Sequence, residues 1–132
     1  MPRVLIIDDE EDIRDVLYDV LNRAGFEVDV ASTGDEGIEK LRSKLADVIV
    51  TDIIMPGKDG VETIREIRKE FPDAKIIAIS GGGNFGSSSY EPNAIKTTAY
   101  LAAAGEAGAD VILPKPFDRE AFMEAINGLT AT

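Results

Sequence analysis

The sequence contains neither cysteine nor histidine. Their absence excludes disulfide scaffolds, thiol nucleophiles, Cys/His zinc sites, haem-type ligation and every histidine-based triad or general base. Positive charge is also scarce: 14 Lys and Arg face 25 Asp and Glu, a formal net charge of −11. Such a surface repels phosphate backbones and anionic headgroups, so no direct nucleic-acid partner and no membrane partner is expected. No apolar run approaches the ~18 residues of a membrane span, and the N-terminus has no signal-peptide pattern. Chemistry is left to carboxylates, lysines, hydroxyls and a hard, oxygen-ligated metal.

What is present is 132 residues, 44% apolar and 30% charged, which suits one soluble, cytoplasmic domain over residues 1–132. Val4-Leu5-Ile6-Ile7 is a short apolar run ending in Asp8-Asp9 and reads as a strand buried on both faces. Ile13, Val16, Leu17, Val20, Leu21 and Ala24 recur at helical spacing before a stop at Gly25. Phe26 to Ala31 alternates as a second strand; Thr33 and Glu36 have capping-box spacing and open a helix that carries Ile38, Leu41 and Leu45 inward. Val48 to Thr51 is a third strand ending at Asp52, and Ile53 to Gly60 is a loop. Asp59 and Glu62 can cap the next helix, with Val61, Ile64 and Ile67 on its inner face and Pro72 closing it.

Ile76 to Ile79 is a fourth strand ending at Ser80. A Gly/Ser-rich stretch, 81–93, reads as an extended flexible loop before an alanine-rich helix over about Ala94 to Ala104. Gly105 and Gly108 then suit tight packing and a helix stop. Val111 to Leu113 is a fifth strand, followed by a helix that Asp118 caps and Phe117 and Phe122 staple. Five alternations of buried strand and amphipathic helix predict an α/β fold, a parallel sheet covered on both faces.

In such a sheet, ligands bind outside the carboxyl ends of the strands. Those ends carry Asp8 and Asp9, Asp52, Ser80 and, just past the fifth strand, Lys115. Neighbouring carboxylates raise one another's pKa unless a cation sits among them, and Mg²⁺ is the ion that suits oxygen donors and phosphate together. A carboxylate can attack phosphorus, a hydroxyl can donate to a phosphoryl oxygen, and an ammonium can offset its charge. The set is that of phosphoryl transfer. Singly, Asp52 could be a strand-end cap and Lys115 a solvated surface lysine; Glu10, Glu11 and Asp12 are read as acids favouring a helix N-terminus. Gly81, Gly83 and Gly86 match G-x-G-x-x-G, with Glu106 further on, but Ser87 to Pro92 precludes a helix at the third glycine and the motif belongs on a first strand.

Over essentially its full length the chain resembles the receiver domain of two-component response regulators. The resemblance is carried by Val4 to Glu10, Val48 to Gly60, Ile76 to Gly81 and Leu113-Pro114-Lys115-Pro116-Phe117. It implies a five-stranded, doubly wound, flavodoxin-like (βα)5 fold. It also implies Asp52 as phosphoacceptor, and Asp8, Asp9, Asp52 and the backbone carbonyl of Ile54 as ligands of Mg²⁺. Ser80 would move onto the phosphoryl group and Lys115 would pair with it, beside a Lys115-Pro116 bond that is usually cis in the family. Gly81 would leave room for the donor. The implied partners are a sensor histidine kinase or histidine phosphotransfer protein and a downstream target protein.

Two features depart from the family. Ile112 stands three residues before Lys115, where an aromatic switch is common, which leaves backbone movement or Tyr100 to carry the signal. The 81–93 stretch lengthens the span from Ser80 to Lys115. The chain stops soon after the fifth helix, the pattern of a stand-alone receiver or of one cut from a longer regulator. Two other functions compete. A Mg²⁺-dependent phosphatase or phosphotransferase for a small substrate would need a second acid two residues after Asp52, and that residue is Ile54. A constitutive protein-binding pseudo-receiver would be expected to lack site residues, and none is missing.

Overall fold

A computed structural model describes residues 2–53, 60–79, 102–113 and 118–130. The elements are β1 (Arg3–Ile7), α1 (Glu11–Arg23), β2 (Glu27–Ala31), α2 (Gly34–Ser43), β3 (Val48–Asp52), α3 (Gly60–Glu70), β4 (Lys75–Ile79), α4 (102–107), β5 (Val111–Leu113) and α5 (Arg119–Thr130). The five strands form one sheet in the order β2-β1-β3-β4-β5, every pair parallel. This is the doubly wound, flavodoxin-like order.

Strand side chains alternate between two apolar layers, as a period of two requires. Leu5, Ile7, Ile49, Ile76 and Ala78 face Ile38 and Leu41 of α2, Ile64 and Ile67 of α3, and Ala104 of α4. Val4, Ile6, Val48, Val50, Ile77 and Ile79 face Ile13, Leu17 and Leu21 of α1 and Phe122 and Ile126 of α5. Right-handed crossovers produce this division: the first connection runs outward from β1, the later ones run back across it, so their helices land on the opposite face.

The inner face of α3 is as expected, and Asp118 caps α5 by accepting from Ala121 N–H at 2.8 Å. Thr33 Oγ1 accepts from Glu36 N–H at 3.1 Å, but the return arm of the capping box is displaced: Glu36 accepts from the Ser32 N–H and hydroxyl instead. Gly25 and Gly108 stop α1 and α4 at φ values of 94° and 122°, closing the six-to-one bonds Phe26 N–H to Leu21 O and Ala109 N–H to Ala104 O. Three expectations about the core are corrected, the first being Ala24, which is exposed as the C-cap residue just past the end of α1 at Arg23. Leu45 is 65% exposed, because α2 ends at Ser43 and the position falls off the helical stripe. Val16 is 59% exposed, on the flank of the Ile13–Leu17–Leu21 line. The fourth helix also continues past Ala104 to residue 107. The 81–93 stretch, most of the expected 94–104 helix, Asp59 and Phe117 lie outside the described residues.

Among the described residues the edge strand β2 is flanked by charge rather than by another strand, a common way of blocking edge pairing. Arg3 contacts Glu27 at 2.6 Å and Asp29 at 2.9 Å, Lys44 contacts Glu27 at 2.7 Å, and Lys40 contacts Asp29 at 3.2 Å. Hydrogen bonds from Lys44 and Arg3 hold the Glu27 carboxyl below its usual range. Burial alone would raise Asp29, yet hydrogen bonds from Lys40 and the Val30 N–H outweigh it and the net shift is downward. An acid lowered by folding contributes stability above its unfolded pKa, about 4, and that contribution is lost as pH falls through the lower folded value. The melting-temperature gap between wild type and Arg3→Met is therefore expected to be full above about pH 5 and to close as pH falls below about 4. A gap that widens in acid contradicts this account of the cluster.

Candidate functional site

The strand order reverses between β1 and β3, so the chain leaves these neighbours in opposite directions and opens a crevice at their carboxyl ends. Register places Ile7 opposite Thr51, which brings the next residues, Asp8 and Asp52, side by side. Both follow the parity of Val4, Ile6, Val48 and Val50, so they stand on the α1 side of the sheet. Asp8 is 1% and Asp52 0% exposed. Asp9 is exposed at the mouth of the crevice and Glu10 half-buried. Carboxylate oxygens of Asp8, Asp9, Glu10 and Asp52 all lie within 4.8 Å of one another.

The turn after β1 is tied down at several points. Asp8 N–H donates to Ala31 O at 3.0 Å, and Asp8 Oδ1 accepts from Glu10 N–H at 2.9 Å. Arg14, in the first turn of α1, donates through Nη1 to the Asp8 carbonyl at 2.8 Å. On the other wall, Ile53 N–H donates to Ile79 O at 3.0 Å. Gly60 N–H donates to Ile53 O at 2.7 Å, which sets the start of α3 against the end of β3. A Cβ on Gly60 would lie 2.1 Å from the Asp52 carbonyl oxygen, so the approach requires glycine.

These donors are all hard oxygens, with no sulfur or imidazole available, and two of the carboxylates are buried. Buried like charges at this spacing repel, and a small divalent cation among them offsets that cost. The residues present therefore fit Mg²⁺. The structure brings Asp8, Asp9 and Asp52 together as the sequence suggested. Ile54, Ser80, Lys115, Gly81, Pro116 and Tyr100 lie outside the described residues. The last described residues ahead of Ile54, Ser80 and Lys115 are Ile53, Ile79 and Leu113, at the ends of three adjacent strands.

Sequence reasoning missed three residues. Glu10 reads as a charge favouring the helix N-terminus and is indeed the N-cap residue of α1, without a side-chain cap hydrogen bond; what that reading leaves out is that its carboxylate also lies with those of Asp8, Asp9 and Asp52. Its place directly after Asp8-Asp9 was the available signal. Arg14 and Gly60 act on backbone atoms of Asp8, Asp52 and Ile53, across turns that no spacing rule reveals. Ile112 packs on the α3–α4 side of the sheet, and a Cβ on Gly105 would lie 3.4 Å from its Cδ1. Glu106 is exposed on α4.

The family model of the response regulator receiver domain matches residues 4–127. The chain is 36% identical over 126 residues to the chemotaxis protein CheY of Thermotoga maritima, covering 95% of this chain and 94% of that protein. It is 30% identical over 127 residues to the response regulator MprA of Mycolicibacterium vanbaalenii; the match covers 96% of this chain and 49% of MprA, so the chain spans about half the length of that relative. Among solved structures, a response regulator receiver domain protein from Clostridium thermocellum superposes with a TM-score of 0.81 at 29% identity, covering 98% of this chain and 94% of that one. Among the described residues no helix is long and apolar enough to cross a membrane.

Proposed function

The chain belongs to the response regulator receiver family, the phospho-accepting modules of two-component signalling, and from that premise we propose that Asp52 is its phosphoacceptor. The observation that supports this most is the placement of Asp52: wholly buried, at the end of β3, in the switch-point crevice with the carboxylates of Asp8 and Asp9. An Asp52 Oδ atom attacks phosphorus, the bond from phosphorus to the donor's nitrogen or acyl oxygen breaks, and an aspartyl phosphate forms. Water later cleaves it to free carboxylate and inorganic phosphate.

Asp8, Asp9, Asp52 and the Ile54 carbonyl would hold Mg²⁺. When bound, the ion supplies charge neutralisation for the phosphoryl oxygens. Ser80 donates its hydroxyl to a phosphoryl oxygen and Lys115 pairs with another. Both contacts exist only once the phosphoryl group is in place, so phosphorylation favours the conformation that makes them. The donor is a sensor histidine kinase or a histidine phosphotransfer protein, and the readout is a downstream target protein that binds the altered surface. The proposal includes a cytoplasmic location and a single domain spanning the chain. Ile54, two residues after Asp52, cannot protonate a leaving group, which disfavours turnover of a free small substrate.

Intact-protein mass after incubation with a small acyl-phosphate donor tests the reading. One phosphoryl adduct is expected with Mg²⁺ and none after chelation. An adduct that forms equally without a divalent cation contradicts it.

A further inference from the structure

Asp8 is held by three of its own atoms. Its N–H is bonded to β2, its Oδ1 to the Glu10 N–H, and its carbonyl to the guanidinium of Arg14 at 2.8 Å. The third tether is the unusual one. The side chain of Arg14 is half-buried in one of the most acidic stretches of the chain, with Asp8, Asp9, Glu10, Glu11 and Asp12 all within six residues before it. Among the described residues, its guanidinium nevertheless makes no ion pair, and its one hydrogen bond goes to a backbone carbonyl. A cation in that position offsets the carbonyl dipole at the strand end without engaging the carboxylates that line the crevice.

We infer that Arg14 is a positioning residue of the cation site: by fixing the Asp8 carbonyl it sets the turn from Asp8 to Glu10 so that the carboxylates converge on Asp52. The inference rests on reading the crevice as a Mg²⁺ site. Arginine suits the task better than lysine, because a delocalised, weakly hydrated guanidinium tolerates partial burial and its planar fork holds direction. The alternative role for this side chain is purely electrostatic, and the two roles differ in sign. A positive charge near the crevice opposes a divalent cation, so its removal alone would tighten Mg²⁺ binding. Loss of a positioning contact behind a ligand loosens binding instead, by about tenfold in comparable supporting shells.

The test is calorimetric titration of the full chain with Mg²⁺, for wild type, Arg14→Gln and Arg14→Lys, with thermal melts of each in the absence of metal. Arg14→Gln is expected to bind about tenfold more weakly while melting cooperatively. Arg14→Lys, which keeps the charge and one donor, is expected to fall between it and wild type. Equal or tighter binding by Arg14→Gln overturns the inference. Should that variant not fold, Arg14→Lys decides: weaker binding than wild type supports positioning, and equal binding overturns it. Absence of Mg²⁺ binding by wild type is a separate outcome, and it removes the reading of the crevice on which the inference stands.

Discussion

Asp52→Asn is expected to abolish formation of the phosphoryl adduct while leaving the fold intact. The substitution is isosteric, and residue 52 contributes to β3 through its backbone, paired with Ile79 of β4. An amide has no anionic oxygen to attack phosphorus, so the loss is complete rather than graded. Mg²⁺ affinity should fall as well, because one of the buried carboxylates of the crevice disappears. Intact mass reports the first effect, circular dichroism the preserved fold, and a Mg²⁺ titration the weakened site. An adduct on the Asn protein at the wild-type rate would assign the acceptor to another carboxylate.

Gly60→Ala carries the second large effect. The new Cβ would lie 2.1 Å from Asp52 O, 2.4 Å from Ile53 Cα and 2.9 Å from Asp52 C. These are backbone atoms at the end of a central strand, so no side-chain rotation relieves the clash. Either α3 retreats or the end of β3 shifts, and each breaks the 2.7 Å bond from Gly60 N–H to Ile53 O. Overpacking of this kind costs about 2 kcal/mol or more, which lowers the melting temperature by roughly 5–10 °C. Phosphorylation should slow beyond what instability explains, because the displaced atoms carry Asp52. Gly128→Ala supplies the opposite sign: it lies on α5 with nothing within 4 Å of the added Cβ. The same chemical change there should stabilise by about 0.5–1 kcal/mol. A Gly60→Ala protein as stable and as reactive as wild type would refute the close-approach argument.

The strands and the helical faces were legible because burial on both sides of a parallel sheet leaves unbroken apolar runs, and these runs end where Asp8 and Asp52 begin. From that alone the shared sheet edge followed. Their adjacency did not, since it depends on the order β2-β1-β3 and on the register of Ile7 with Thr51. Local patterns failed where a helix end decided the outcome: Leu45 continued the periodicity of Ile38 and Leu41 but lies beyond Ser43. A run of acids before a helix has a ready explanation in the helix dipole, which Glu10 at the N-cap of α1 satisfies, and that explanation hides its second place among the carboxylates of the crevice. The roles of Arg14 and Gly60 were hidden for a different reason. One donates to a carbonyl and the other makes room for one, and backbone atoms leave no trace in residue spacing.

The central claim is that the carboxylate of residue 52 takes the phosphoryl group. Borohydride reduction after phosphorylation by an acyl-phosphate donor with Mg²⁺ tests it most directly, because it converts an aspartyl phosphate to homoserine at the acceptor position alone. Fragment masses are expected to show homoserine at residue 52 and unmodified Asp8 and Asp9. Homoserine at residue 8 or 9, or none at residue 52 in protein that carries the adduct, would contradict the claim.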